Sequence, residues 1–285
     1  MRFKNLLIIA FTLLLVYSFT LKNMQKPQLG ISAGLDRDSL VYASGFRMLG
    51  ESVRKMLAPS LTGEQFEQNL SLIKAAKCKV MMCNLFFPGT LKIAGPDVDE
   101  KKVLAYADSV LNRAGQAGVK IIVLGSGGSR NIPEGYDLQK AETSFVNLAK
   151  KLGAIAKKYN VTIVLENLET TETNFITSLK SAASIVKRVN DPNFRLNADI
   201  FHMMREGELP NEIVAAGKLL AFCEIAEKEK RTLPGVMGDD FKPYLSALKK
   251  ANYSGYIFIE GNIGNAEVEI PKAFNYLTKQ IDEVY

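Results

Sequence analysis

Four stretches of the sequence decide how the chain folds: TIVLENLE (162–169), FRLNADIF (194–201), LLAFCEIAE (219–227) and GYIFIEGN (255–262). Each is a short apolar run that meets a carboxylate, at Glu166, Asp199, Glu224 and Glu260 in turn. Near-continuous apolar runs of this length are the pattern of strands buried on both faces. They predict strands over Thr162–Glu166, Arg195–Asp199, Leu219–Glu224 and Tyr256–Glu260. Working outward toward the N-terminus, runs of the same kind predict four more, over Gln28–Ala33, Phe46–Glu51, Lys79–Asn84 and Lys120–Leu124. Helix-period segments separate them: Glu64–Ala76, Asp99–Ala117, Leu138–Tyr159, Thr177–Arg188, Asn211–Gly217, Asp240–Ala251 and Ala266–Val284. Gly118 reads as a C-terminal stop, and the first connection, Asp36–Ser44, is too short to predict as a full helix.

Eight strands alternating with helices point to a parallel α/β sheet. The chain of 285 residues has the size of a single (β/α)8 TIM barrel. The alternative, a doubly wound open sheet, would favour a Gly-rich turn after the first strand, and Gly30 and Gly34 do not match GxGxxG. No linker, low-complexity tract or charge block divides residues 27–285, which are read as one barrel domain. Residues 1–26 are read separately. Arg2 and Lys4 precede an apolar run from Leu6 to Phe19, and polar residues follow it. This is the order of a secretory signal peptide, with an uncleaved N-terminal anchor as the alternative. The expected location is therefore exported, in the periplasm or membrane-anchored facing it, and the only expected membrane contact is through that segment.

Composition excludes several function classes. With 47% hydrophobic and 23% charged residues, the chain is neither disordered nor a multi-span membrane protein. The single histidine, His202, rules out metal sites built from several histidines. Of the formal charge of +6, half comes from Arg2, Lys4 and Lys22 in the N-terminal segment, so no nucleic-acid partner is expected. Cys78, Cys83 and Cys223 form no CxxC spacing and are read as buried thiols.

In a barrel of this kind chemistry sits at the C-terminal ends of the strands. Glu166, Asp199, Glu224 and Glu260 would then converge on one pocket. Four clustered negative charges need a counter-charge, and all-oxygen ligands favour a hard divalent cation. Mn²⁺ or Mg²⁺ is expected first, with Co²⁺ or Zn²⁺ as alternatives.

At these residues the chain resembles the sugar phosphate isomerase/epimerase superfamily, the xylose-isomerase-like TIM barrels, whose sugar members include the tagatose/psicose 3-epimerases. In those epimerases a Glu, an Asp, a His and a Glu at the ends of strands five to eight hold one divalent metal. Glu166, Asp199 and Glu260 match in type and order, and Glu224 stands at the position of the histidine. The epimerases read roughly H-x-x-E there, against Glu224-Ile225-Ala226-Glu227. The resemblance implies further substrate-binding residues: His202 of Asp199-x-x-His202, Glu172 six residues after Glu166, and Arg231 before Pro234-Gly235. The segment from Gly125 to Pro133 is expected to bind an anion through free N–H groups and Arg130, or else to be a plain tight turn. Asn84 and Glu51 fall at predicted strand ends and are expected to line the same mouth.

The chemistry the resemblance implies is abstraction of a proton beside a carbonyl through a metal-stabilised cis-enediolate, with Glu166 and Glu260 as the two bases. The partner is then a small-molecule carbohydrate. Isomerisation, epimerisation and the dehydration of the inosose dehydratases all begin with this step. An exported sugar-binding module without turnover is the alternative from another class, and a homo-oligomer is allowed by either. The superfamily's AP endonucleases need a histidine-rich three-zinc site, which one histidine cannot supply.

Overall fold

The computed structural model describes residues 25–285. Eight parallel strands close into a barrel in sequence order: β1 Gln28–Ile31, β2 Met48–Ser52, β3 Lys79–Asn84, β4 Ile121–Leu124, β5 Thr162–Glu166, β6 Phe194–Asp199, β7 Leu220–Ile225 and β8 Tyr256–Ile259. Closure is made by β1 on β8, from Gln28 opposite Tyr256 to Ile31 opposite Ile259. The expected (β/α)8 barrel is therefore observed. The signal or anchor segment lies almost wholly outside the described residues. Among the described residues, no helix is long and apolar enough to cross a membrane.

The helices start and stop where local chemistry satisfies their end groups. Thr62 and Gln65 form a capping box before the helix Gly63–Ala75, and Asp99 and Asp137 cap Glu100–Ala117 and Leu138–Lys158. Gly118 ends the helix before it in the left-handed conformation, φ 74°, as the sequence suggested. The first connection is a 3-10 turn, Leu35–Arg37, followed by the short helix Asp38–Ala43. Three further short helices, Val53–Met56, Gly127–Arg130 and Ile200–Glu206, have no counterpart in the sequence expectation. Val53–Met56 and Ile200–Glu206 begin directly after a strand, and two residues separate Gly127–Arg130 from β4.

Two apolar layers hold the barrel. The larger lies between the sheet and the outer helices, and includes Leu49, Ile122, Leu165, Leu196 and Ile257, none of them exposed. The smaller fills the barrel interior, where Met82, Val164, Phe222 and Phe258 pack together. The Phe222 and Phe258 rings stand 5.1 Å apart. Phe258 fits because β1 presents Gly30, where a Cβ would lie 2.3 Å from the ring. Strand side chains alternate between faces. The residues two beyond Val164, Phe222 and Phe258 therefore also face inward, and these are Glu166, Glu224 and Glu260. An apolar plug thus forms the floor beneath the carboxylates.

Candidate active site

The carboxylates that end β5, β6, β7 and β8 do converge. One oxygen each from Glu166, Asp199, Glu224 and Glu260 lies within 4.8 Å of the others. Glu166, Asp199 and Glu224 are buried, and Glu260 is partly open. Glu260 sits one residue past β8, and its N–H continues the ladder by donating to the Ile225 oxygen at 3.1 Å.

Local structure sets each side chain. Asp199 is the N-cap of Ile200–Glu206, and one of its oxygens accepts the His202 N–H at 3.1 Å. The cap turns the His202 ring back toward the centre. Its Nε2 lies 3.5 Å from Glu166, 3.7 Å from Asp199 and 4.0 Å from Glu172. Arg231 enters from a turn in which Lys230 and Arg231 have φ of 58° and 52°. Asn262 holds that turn, its side chain donating to the Lys230 oxygen and its N–H to the Arg231 oxygen. The guanidinium pairs with Glu260, stands 3.6 Å from Asp199 and 3.4 Å from Glu172, and lies over the Phe201 ring at 4.7 Å.

Crowding of like charges in a buried site shifts proton affinities. Burial raises Glu166 to about 7, with Glu260 and Asp199 adding to the rise and His202 opposing it. Burial likewise holds Glu224 well above the usual carboxylate range, reinforced by Glu260, Glu166 and Asp199. For His202 burial disfavours the charged ring, yet Asp199 and Glu166 outweigh it and raise the group to about 9. Burial also works against the charge of Arg231, and the surrounding carboxylates hold it above its ordinary value.

The donor set fits a divalent cation. One oxygen of Glu224 accepts from the Asn197 side chain, while Oε1 is buried with no hydrogen-bond partner. A buried carboxylate oxygen is rarely left so, and a hard cation would satisfy it.

Of the other expected residues, Asn84 joins the cluster by donating to Glu260 Oε1, and Glu172 stands at the rim between His202 and Arg231. Two do not join. Glu51 lies at the strand-end level of β2, but its oxygens take the N–H groups of Leu35 at 2.9 Å and Ser52 at 3.1 Å and the Lys55 ammonium at 3.1 Å. It is committed to its own turn. Arg130 is wholly buried, and its Nη1 donates to the Glu166 main-chain oxygen at 2.8 Å.

Three residues of the site region escape a sequence reading. Asn197, inside the β6 run, donates to Glu224. Asn167 clamps β5 to β6 by accepting the Asp199 N–H at 3.0 Å and donating to the Asp199 oxygen at 3.1 Å. Glu227 lies in what looks like a surface charge run, yet it is fully buried. Its carboxylate gathers the N–H groups of Gly235, Met237, Gly238 and Asp239 and the Thr232 hydroxyl. It thereby organises the loop that follows Arg231.

Known proteins place this geometry in context. L-ribulose 3-epimerase of Methylomonas sp. (strain DH-1) is 30% identical over 129 residues, 45% of this chain and 44% of that enzyme. A putative hydroxypyruvate isomerase of Mus musculus is 28% identical over 138 residues, 45% of this chain and 50% of its own length. The chain thus spans about half the length of the curated relatives it matches. Among solved structures, the IOLI protein with a bound zinc atom superposes with a TM-score of 0.74 at 19% identity, covering 90% of this chain and 99% of that one. The profile of the xylose isomerase-like TIM barrels matches residues 40–280. With its closed eight-stranded barrel and that match over most of its length, the chain belongs to the xylose isomerase-like TIM barrel family, of the sugar phosphate isomerase/epimerase superfamily.

Proposed function

We propose that this protein is a divalent-metal-dependent isomerase or epimerase of a sugar or sugar derivative. The observation that carries the reading is the meeting of Glu166 and Glu260 with Asp199 and Glu224 in one cluster. The epimerase and isomerase relatives support a substrate with a carbonyl beside a hydroxyl-bearing carbon. A cation held by the four carboxylates, Mn²⁺ or Mg²⁺ first and Zn²⁺ or Co²⁺ as alternatives, would acidify that C–H bond and offset the oxygen charge that develops.

The chain's own groups do the rest. Glu166 takes a proton from the carbon beside the carbonyl, and the C–H electron pair moves into an enediolate. Glu260, whose two oxygens accept from Asn84 and Arg231 in the resting site, is the second proton carrier; it takes a proton from solvent and then delivers it to the enediolate carbon. Return to the same carbon inverts it, and return to the neighbouring carbon moves the carbonyl. Dehydration of a sugar derivative would share the first half and expel a hydroxyl in the second. His202, Glu172 and Arg231 ring the remaining space and bind substrate hydroxyls.

Glu224 in place of the superfamily's histidine favours one other reading, an exported sugar-binding barrel without turnover. Solvent-deuterium exchange at carbon in a panel of ketoses separates the two. With the Mn²⁺-loaded protein, Glu166→Gln and Glu260→Gln are expected to cut exchange by about 10²–10⁴-fold. Sugar binding should change little. Equal loss of binding and exchange in both variants would overturn the assignment of the two bases.

A further inference from the structure

The glycines after β4 are placed against Glu166 itself. A Cβ on Gly125 would lie 2.1 Å from Glu166 Oε2 and 3.1 Å from its Cδ. The backbone there is not in the left-handed region, so the side chain of Glu166 is the main obstacle to an alanine. A Cβ on Gly127 would come 2.7 Å from the main-chain oxygen of Glu172. At the other end of the same loop Arg130 donates from Nη1 to the main-chain oxygen of Glu166, while its Nε and Nη2 are buried without partners. A buried guanidinium with idle donors is costly unless its charge or its one bond is needed.

The loop is braced from behind. Ser126 is left-handed, φ 48°, and its hydroxyl accepts the Phe87 N–H at 3.0 Å. Lys92 donates to the Gly128 oxygen at 2.7 Å, and the Ile93 N–H to the Ser129 oxygen at 2.9 Å. The segment after β3 therefore holds this loop against the end of β5.

We infer that the loop from Gly125 to Arg130 is the seat of Glu166 and not an anion cradle. Gly125 supplies the space the carboxylate occupies, and Arg130 fixes the strand end that carries it. Both are positioning residues, and the inference rests on the reading of Glu166 as ligand and base.

Mn²⁺ binding followed by electron paramagnetic resonance tests it. Gly125→Ala should weaken Mn²⁺ binding by roughly tenfold or more, as disturbing a group that orients a ligand commonly does. In a Glu166→Ala background, where no carboxylate remains to displace, the same substitution should change nothing further. Arg130→Lys should keep more affinity than Arg130→Met, since it retains a donor and a charge. Wild-type Mn²⁺ affinity in Gly125→Ala, or an equal loss in both backgrounds, would overturn the seat. The crystal structure of metal-free Gly125→Ala decides independently of any metal. A Glu166 carboxylate turned away from its present place supports the seat, and an unmoved one overturns it even if the wild type binds no Mn²⁺.

Discussion

Glu166 and His202 hold protons that the unfolded chain would release, and this sets a direction for stability. The folded carboxyl of Glu166 titrates at about 7 against 4.5 when free, and His202 at about 9 against 6.5. Between each pair of values the folded state binds more protons than the unfolded one, so stability falls as pH rises. The contribution of Glu166 is fully present below 4.5 and lost by about 7, and that of His202 is present below 6.5 and lost by about 9. In chelator, the melting temperature should therefore decline from pH 5 to pH 9. A cation competes with those protons, so added Mn²⁺ should raise the melting temperature more at the alkaline end. A metal-free melting temperature that climbs across this window would contradict the account of the cluster.

At the same scale the sequence was informative about type and blind to burial. Glu166, Asp199, Glu224 and Glu260 were legible because each carboxylate interrupts an apolar run, and an interior charge at a strand end is rarely idle. Arg130 reads in the sequence as an anion-binding cation, and its complete burial shows only once the loop is folded. Glu227 looked like one member of a solvated charge run. Nothing local signals that four N–H groups from residues 235–239 will turn back onto it.

Among the elements, the strand ends were predicted best where the core demands them. β3 and β5 have the expected bounds, and β8 falls one residue short because Glu260 leaves the strand while keeping its ladder bond. The helix Ile200–Glu206 was invisible, since its four buried residues, Ile200, Phe201, His202 and Met203, run consecutively and show no polar face. That helix matters to the site because its N-cap is Asp199. The loop after Arg231 is the other element with a site role. Replacing Glu227 with Ala would leave the N–H groups of Gly235, Met237 and Gly238 without an acceptor. Hydrogen bonds to charged groups of this kind suggest a loss of roughly 2–3 kcal/mol in urea unfolding. Because the loop supports the turn of Arg231, weaker sugar binding should accompany it. A stability change near zero would mean that the loop holds its shape without the carboxylate.

For the whole molecule, the barrel divides labour between an apolar floor of Met82, Val164, Phe222 and Phe258 and a polar mouth. The apolar run from Leu6 to Phe19 gives the chain a further expected property, export. Expressed in full in a bacterium with a periplasm, the protein should be recovered outside the cytoplasm. Its mature N-terminus should lie near Pro27 if the segment is cleaved. Recovery from the cytoplasm with Met1 or Arg2 at the N-terminus would contradict export.

Glu166, Asp199, Glu224 and Glu260 are proposed to hold one divalent cation. The thermal stability of the chelated protein decides this as Mn²⁺, Mg²⁺, Co²⁺ and Zn²⁺ are added in turn, with Asp199→Asn and Glu224→Gln beside the wild type. A cation present at about 100 times its dissociation constant should add about 2.7 kcal/mol to the wild type. That gain should be lost in both variants. A folded wild type that none of the four cations stabilises, or variants stabilised as much as the wild type, would contradict it.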